Sequence, residues 1–331
     1  MIYVINKSVD PSFNHALEEY FLKDTRESVF MIWQNEPTVL IGRNQNLELE
    51  INTDFTKEHD MHIVRRLSGG GTVYCDLNNC QYTFITNRDD NDENLFKSFA
   101  HPVVLALKKL GLDADFTGRN DIMIGDKKVS GNAQYRYKDR IIHHGTLLFD
   151  ADMELLAGSM KAREIKFIDK NVHSHRAHVG LIKNYVDMDV HEFIDYIAKN
   201  IVEYHDISEI REPSSEELEG LKKYLPDFPD FNKTGYDREH SRKYMAKKYM
   251  AKKYPFGLVE YGLDDENGKI KKLKIMGDFF LNNELEPFLS SIRGINIESM
   301  EDELKLNIGD YIIGMKNEEL ISDLKDLHRG E

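Results

Sequence analysis

The sequence predicts an α+β protein of two units, a large one in which strands and helices interleave and a small α/β unit behind it. Three observations carry this prediction. At 331 residues the chain exceeds one ordinary domain, so a large domain plus a smaller one is the natural division. Short apolar runs of strand length alternate with segments of helical spacing along most of the chain. The stretch from Leu225 to Pro255 then breaks that rhythm, with Pro226, Pro229, Asp230, Asn232 and Gly235 interrupting regular structure.

The elements follow in order. Asp10-Pro11 reads as an N-cap with proline at the first helical position, and Phe13, Ala16, Leu17, Tyr20 and Phe21 continue at helical spacing. Val29 to Trp33 and Thr38 to Ile41, parted by the turn formers Asn35-Glu36-Pro37, read as a strand pair. A third strand runs through His62-Ile63-Val64 into Arg65-Arg66 and a fourth from Gln81 to Thr86, with Ser68-Gly69-Gly70-Gly71 between them. Phe99 to Leu110 is helical, with Pro102 near its start and Gly111 past its end. Ile122 to Ile124 and Lys127 to Val129 form a hairpin around Gly125-Asp126, and Ile141 to Phe149 is another strand. Val190 to Val202 and Ser214 to Tyr224 have helical spacing. The segment Tyr244-Met245-Ala246-Lys247-Lys248 repeats at once as Tyr249 to Lys253, too short for a solenoid unit and readable as one basic helix with a solvated face. Beyond it, strands at Gly257 to Tyr261 and Ile270 to Met276 precede helices near Glu284 to Ile292 and Glu318 to Leu327. These readings divide the chain into a domain of residues 1–245 and an accessory domain of residues 255–331.

Composition narrows the function classes. A formal net charge of −14 repels phosphate backbones, so nucleic acid is not the expected partner. No run reaches the apolar length of a membrane span, and the first residues lack the build of a signal peptide. With two cysteines, Cys75 and Cys80, there is no disulfide framework, and a reducing cytoplasm is the simplest location.

Three stretches carry chemistry. In Arg65-Arg66-Leu67-Ser68-Gly69-Gly70-Gly71-Thr72-Val73-Tyr74, consecutive glycines permit close backbone approach to an anion, with amide N–H groups and guanidinium forks as donors. A glycine run alone reads more readily as a plain turn; the paired arginines tilt it towards phosphate or carboxylate. It is neither a P-loop nor a dinucleotide fingerprint, because no Gly-Lys-Ser/Thr follows and the spacing is wrong. Gly118-Arg119-Asn120-Asp121 with Lys127-Lys128-Val129-Ser130-Gly131-Asn132 puts a lysine on a strand before Ser-Gly, where it can steady charge on a phosphate. Asp121 can help hold magnesium, which takes one or two carboxylates plus phosphate oxygens. Taken singly, Lys128 reads as a surface lysine and Asp121 as a turn residue. In His143-His144-Gly145-Thr146 the adjacent histidines point to opposite faces of a strand, so one faces a pocket and they do not share a metal.

Together these blocks resemble the three signature blocks of the lipoate–protein ligase A family, in the family's order, over roughly residues 1–181. Val172 to Arg176 resembles a further element of that family. The resemblance implies a fold similar to the catalytic domains of biotin ligases and class II aminoacyl-tRNA synthetases, a mixed sheet flanked by helices. It implies ATP-dependent activation of lipoate to lipoyl-AMP and transfer to a lysine of a lipoyl domain or a glycine-cleavage H-type protein, with Mg2+ accompanying ATP. By position it implies that Lys128 contacts both the lipoyl carbonyl and the adenylate phosphate. Arg66, Gly71, Thr72, Val73 and Tyr74 take ATP-contacting positions, and Gly70 and His144 lie against lipoate. The dithiolane and its carbon chain need an apolar slot, for which Val39, Leu40, Ile41 and Val73 are candidates. Two positions depart from the family: Cys75 stands where it usually carries histidine, and Asn78 where it usually carries glycine. The first raises a cysteine-dependent lipoyl or octanoyl transferase as a competing reading. Both raise a third, a lipoate- or acceptor-binding protein without turnover. A further expectation is that the accessory domain moves over the active site between the two steps.

Overall fold

In a computed structural model the chain is described at residues 1–88, 94–161, 178–235 and 248–330; Val172 to Arg176 and the first four residues of the repeat lie outside these. A mixed sheet organises the first unit. Its strands run, edge to edge, Ile210–Arg211, Ile2–Val4, Val29–Trp33, Cys80–Asn87, Arg140–Leu147, Lys127–Tyr137, Asp121–Ile124 and Ala114–Thr117, with His178–Val179 parallel to the start of Lys127–Tyr137. The first three of these pair in parallel and the rest of the path is antiparallel.

Both faces of this sheet are covered, so its central strands are apolar on both sides. The helix Pro11–Lys23 lies on one face. Asp10 caps it by accepting from the Phe13 amide, and Leu17 and Phe21 pack on Val29, Met31, Ile85 and Ile142. The helices Leu95–Lys109 and Val190–Tyr204 cover the opposite face, where Val103, Leu107, Phe193 and Ile197 meet Phe30, Tyr82 and Phe84. The helix expected from Phe99 begins four residues earlier, which puts Pro102 inside it. The proline is buried there, so packing outweighs the lost backbone hydrogen bond.

Val29–Trp33 and Thr38–Ile41 form with the expected bounds, but they do not pair with each other. Val29–Trp33 already has a neighbour on each edge, Ile2–Val4 and Cys80–Asn87, so no edge is left for Thr38–Ile41. That strand instead lies between His62–Arg65 and Val73–Cys75 in a separate three-stranded sheet. Leu40, Val64 and Cys75 face the main sheet, whereas Val39, Ile41, Ile63 and Tyr74 face away towards Leu47, Ile51 and Phe231.

A third sheet, Lys248–Tyr254, Gly257–Glu266 and Lys269–Gly277, is antiparallel and packs on the helix Asn317–Arg329. The second half of the repeat is therefore strand, not the expected helix. Alternation explains it: Lys248, Met250, Lys252 and Tyr254 fall on one face. Nor are these lysines a solvated face. Lys252 Nζ lies 2.6 Å from Oδ1 of the fully buried Asp323, and Lys248 Nζ 2.7 Å from Asp265. Among the described residues no helix is long and apolar enough to cross a membrane.

Candidate active site

Between the small sheet and the main sheet lies a cavity of about 110 Å³. Trp33, Leu40 and Val73 give it an apolar wall, Gly70, Gly71 and Thr72 form a second, and Lys128 closes a third. Strand register decides which side chains reach it. His144 pairs with Thr83 and Ala133 and points into the cavity side, while His143 turns to the opposite face and stacks on Phe99 with ring centroids 5.1 Å apart. Burial holds His143 well below the ordinary imidazole range.

Local irregularity aims Lys128. The pairing of Asp121–Ile124 with Lys127–Tyr137 slips between Ile122 and Met123, so that Ser130 and Lys128 face consecutive residues and one residue bulges out. Lys128 Nζ then lies 2.6 Å from Asp121 Oδ1, an ion pair whose lysine side chain is one-third exposed. The Asn120 loop is laced to the same strand, since Asn132 N donates to Asn120 O at 2.8 Å and Asn120 Nδ2 to Asn132 O at 2.6 Å.

The glycine run is held from inside by Arg66, which is 5% exposed. Its Nε donates to Ser68 Oγ at 3.1 Å, Nη1 to Leu40 O at 3.1 Å, and Nη2 to both Gly69 O and Gly71 O at 2.7 Å. Four of its five N–H groups are thereby spent on the protein's own backbone and Ser68. Burial pulls its pKa down to about 10, which leaves it cationic at neutral pH. A side chain at Gly42 would put its Cβ 2.0 Å from Gly70 O, so the neighbouring loop can approach the run only because Gly42 has none. Gly70 itself has φ of +87°, the left-handed region open to glycine.

Of the residues singled out in the sequence, Arg66, Gly70, Gly71, Thr72, Val73, Lys128 and His144 border this one cavity. Asp121 is not on its wall and is reached through Lys128. Tyr74 is not on the cavity wall; its side chain packs on the far face of the small sheet and donates to Asp76 Oδ2 at 2.9 Å. Leu40 and Val73 border the cavity, but Val39 and Ile41 belong to the far face of the small sheet. Cys75 faces the core and is fully buried; burial, reinforced by Asp76, pushes its thiol up to about 12. Cys80 is likewise buried and raised. Neither thiol is exposed or ionised as a nucleophile requires. The other departure costs little: Asn78 does not have positive φ, so its turn needs no glycine there.

Sequence reasoning missed Glu18, His15 and Trp33. Glu18 had a signal. It lies on the core-facing side of an amphipathic helix beside Leu17, Phe21 and Leu22, where a carboxylate is out of place unless it is paired. Also missed are the residues of the second unit that reach the site. Gly70 N donates to Phe279 O at 3.2 Å, Arg119 lies 4.6 Å over the Phe280 ring, and Arg43 pairs with Glu284 at 2.7 Å.

Known proteins align with this architecture. Residues 10–202 match the family described as lipoyl protein ligase A/B catalytic domain, and residues 244–324 match bacterial lipoate protein ligase C-terminus. The lipoate-protein ligase LplJ of Bacillus subtilis is 35% identical over 293 residues, covering 85% of this chain and 86% of its own. A crystal structure of P. falciparum LipL1 in complex with lipoate superposes with a TM-score of 0.79 at 23% identity, covering 100% of this chain and 99% of that one. A crystal structure of lipoate-protein ligase A bound with ATP gives 0.60 at 23% identity, over 71% of this chain and 99% of that one. With the catalytic-domain match spanning more than half its length and a curated relative above 30% identity along most of both chains, the chain belongs to the lipoate–protein ligase family.

Proposed function

We propose that this protein is an ATP-dependent lipoate–protein ligase. The observation that carries the reading is the single cavity in which an apolar slot, a glycine run braced by Arg66, and Lys128 converge. Lipoate enters with its dithiolane end towards Trp33, Leu40 and Val73, and its carboxylate oxygen attacks the α-phosphorus of ATP. The bond from that phosphorus to the bridging oxygen breaks, diphosphate leaves, and lipoyl-AMP remains. The ε-amine of an acceptor lysine then attacks the acyl carbonyl, an amide forms, a proton is lost and AMP departs. Both steps concentrate negative charge, so fixed cations and backbone donors accelerate them without any nucleophilic side chain.

In this reading Lys128 turns from Asp121 to the carbonyl and α-phosphate oxygens. The backbone of Gly71, Thr72, Val73 and Tyr74 meets ATP, and Gly70 and His144 lie against lipoate. Arg66 acts on ATP chiefly through the loop it braces, since most of its donors are engaged there. Asp121 fits a magnesium ion carried by the nucleotide, because magnesium takes few protein carboxylates and fills its sphere with phosphate and water. Among the described residues no group of three or more His, Cys, Asp or Glu stands ready to hold a metal on its own. The division proposed is catalytic residues 1–245 and accessory residues 255–331; the strand Lys248–Tyr254, between these bounds, belongs to the third sheet, that of the accessory unit. The acceptor is a lysine of a lipoyl domain or of a glycine-cleavage H-type protein, modified in the cytoplasm.

Incubation with lipoate, ATP and a panel of such acceptors is predicted to add a lipoyl group to at least one acceptor lysine, read by mass spectrometry. Transfer from an acyl carrier protein without ATP, lost in Cys75→Ser, would instead support the cysteine transferase, which the buried thiols disfavour. Lipoate binding without diphosphate release would support the non-catalytic alternative.

A further inference from the structure

The side chain of Glu18 is 1% exposed, yet its carboxylate is the centre of a polar chain inside an otherwise apolar layer. Oε1 lies 3.1 Å from His144 Nδ1 and accepts from Thr83 Oγ1 at 2.6 Å, while Oε2 lies 2.7 Å from His15 Nδ1. On the far side of His144, Nε2 lies 2.5 Å from Ser68 Oγ, and Ser68 Oγ accepts from Arg66 Nε at 3.1 Å. The chain thus runs from the first helix, through the central strand, into the glycine run.

With a neutral His144 ring its hydrogens have one consistent assignment. An ionised carboxylate only accepts, so both imidazoles that touch Glu18 carry hydrogen on Nδ1. Burial alone would raise the Glu18 carboxyl, but the His144 and His15 contacts outweigh it and hold the group well below the ordinary range. His15 is depressed by burial, so it donates as a neutral ring. With hydrogen on Nδ1, His144 presents Nε2 as an acceptor, and the Ser68 hydroxyl donates to it. The Ser68 oxygen is then free to accept from Arg66 Nε. Move the His144 hydrogen to Nε2 and Ser68 is asked to accept from both sides with its own hydrogen left over. Arg66, fixed at Nε, turns Nη2 onto Gly69 O and Gly71 O. In a trans peptide the N–H lies opposite the carbonyl, so drawing those two oxygens onto the guanidinium turns the amides of Gly70 and Thr72 away from it.

We infer that Glu18, through His144 and Ser68, is a positioning residue for the adenylate-forming step: it fixes the tautomer of His144 and thereby the orientation of Arg66 and the glycine run. The inference rests on the ligase reading for the step affected, but the chain itself does not. It differs from a Ser-His-acid nucleophile relay because Ser68 is fully buried and its hydroxyl is committed to His144. A buried network of this kind pre-organises donors before the ligand arrives, which is where most electrostatic rate enhancement originates.

Two measurements on the full chain test it. In [15N]histidine-labelled wild-type protein, long-range 1H–15N correlation should show His144, identified by its loss in His144→Asn, as the Nδ1–H tautomer. The Nε2–H tautomer there would overturn the assignment, and this readout needs neither substrate nor a folded Glu18 variant. Second, Glu18→Gln and Ser68→Ala should each slow lipoate-dependent diphosphate release by about 10- to 100-fold, as loss of an orienting partner does elsewhere. The double variant should be no slower than the worse single one, because the residues act as one chain. Losses that multiply, or a Glu18→Gln enzyme at the wild-type rate, would overturn the positioning role. If the wild type itself releases no diphosphate, the ligase reading fails, and the tautomer still decides the chain.

Discussion

The Cys75 side chain packs between the small sheet and the main sheet with no exposed surface. A thiol pushed up to about 12 by burial stays protonated through the working pH range. Native protein at pH 8 should therefore resist a thiol reagent that labels the denatured chain rapidly. Cys75→Ala should keep diphosphate release within about threefold of wild type while lowering stability by about 1–2 kcal/mol, as small core truncations do. Rapid native labelling, or lost turnover in a folded Cys75→Ala protein, contradicts this placement. The histidine pair shows how far residue-level reading reaches. Strand alternation alone says that one of His143 and His144 faces a pocket, but which one depends on where the first helix packs. That is decided by Leu17 and Phe21 against Ile85 and Ile142, contacts distant in sequence.

At the scale of elements, most boundaries were readable because caps and period mark them locally. Asp10 and Pro11 start the first helix, Gly125-Asp126 turns the hairpin, and both strands flanking Asn35 to Pro37 have the expected bounds. Pairing was not readable, because it depends on which edges are already taken. The small sheet, including the unanticipated strand Val73–Cys75, is the cost of that gap, and the cavity lies beneath it. One tether of this sheet is testable. His62 Nδ1 lies 2.9 Å from Asp230 Oδ2, and Asp230 Oδ1 accepts from Ile63 N. The hydrogen bond to Asp230 raises the His62 pKa, so its contribution is fully present below the unfolded imidazole value of about 6.5 and fades as pH rises through the folded one. Asp230 is pushed up by burial but lowered further by His62, so its share is present above the unfolded carboxyl value of about 3.9 and fades as pH falls through its folded one. Asp230→Asn should then cost about 1–3 kcal/mol in denaturant unfolding at pH 5.5 and less at pH 9. An equal cost at both pH values contradicts the charged pairing.

Across the whole molecule, the segment from Gly277 to Glu284 joins the second unit to the site. Gly277 N donates to Asn44 O at 2.8 Å, Phe279 O takes the Gly70 amide, and Tyr135 and Arg43 both hold Glu284. Nothing in the sequence of the second unit flagged this, because its contribution is a backbone carbonyl and a ring rather than a chemical motif. A ligand that takes the Gly70 amide must displace Phe279 O, which gives the proposed movement of the accessory unit a physical cause. Lipoate with ATP should change the rate of limited proteolysis between residues 225 and 255, and an unchanged rate removes the proposal. The central claim, that one cavity activates lipoate with ATP, is tested most directly before any acceptor is present. Diphosphate release should require both lipoate and ATP, leave lipoyl-AMP bound, and fall by at least about 100-fold in Lys128→Ala. Release that ignores lipoate, or a Lys128→Ala protein that forms lipoyl-AMP at the wild-type rate, would contradict it.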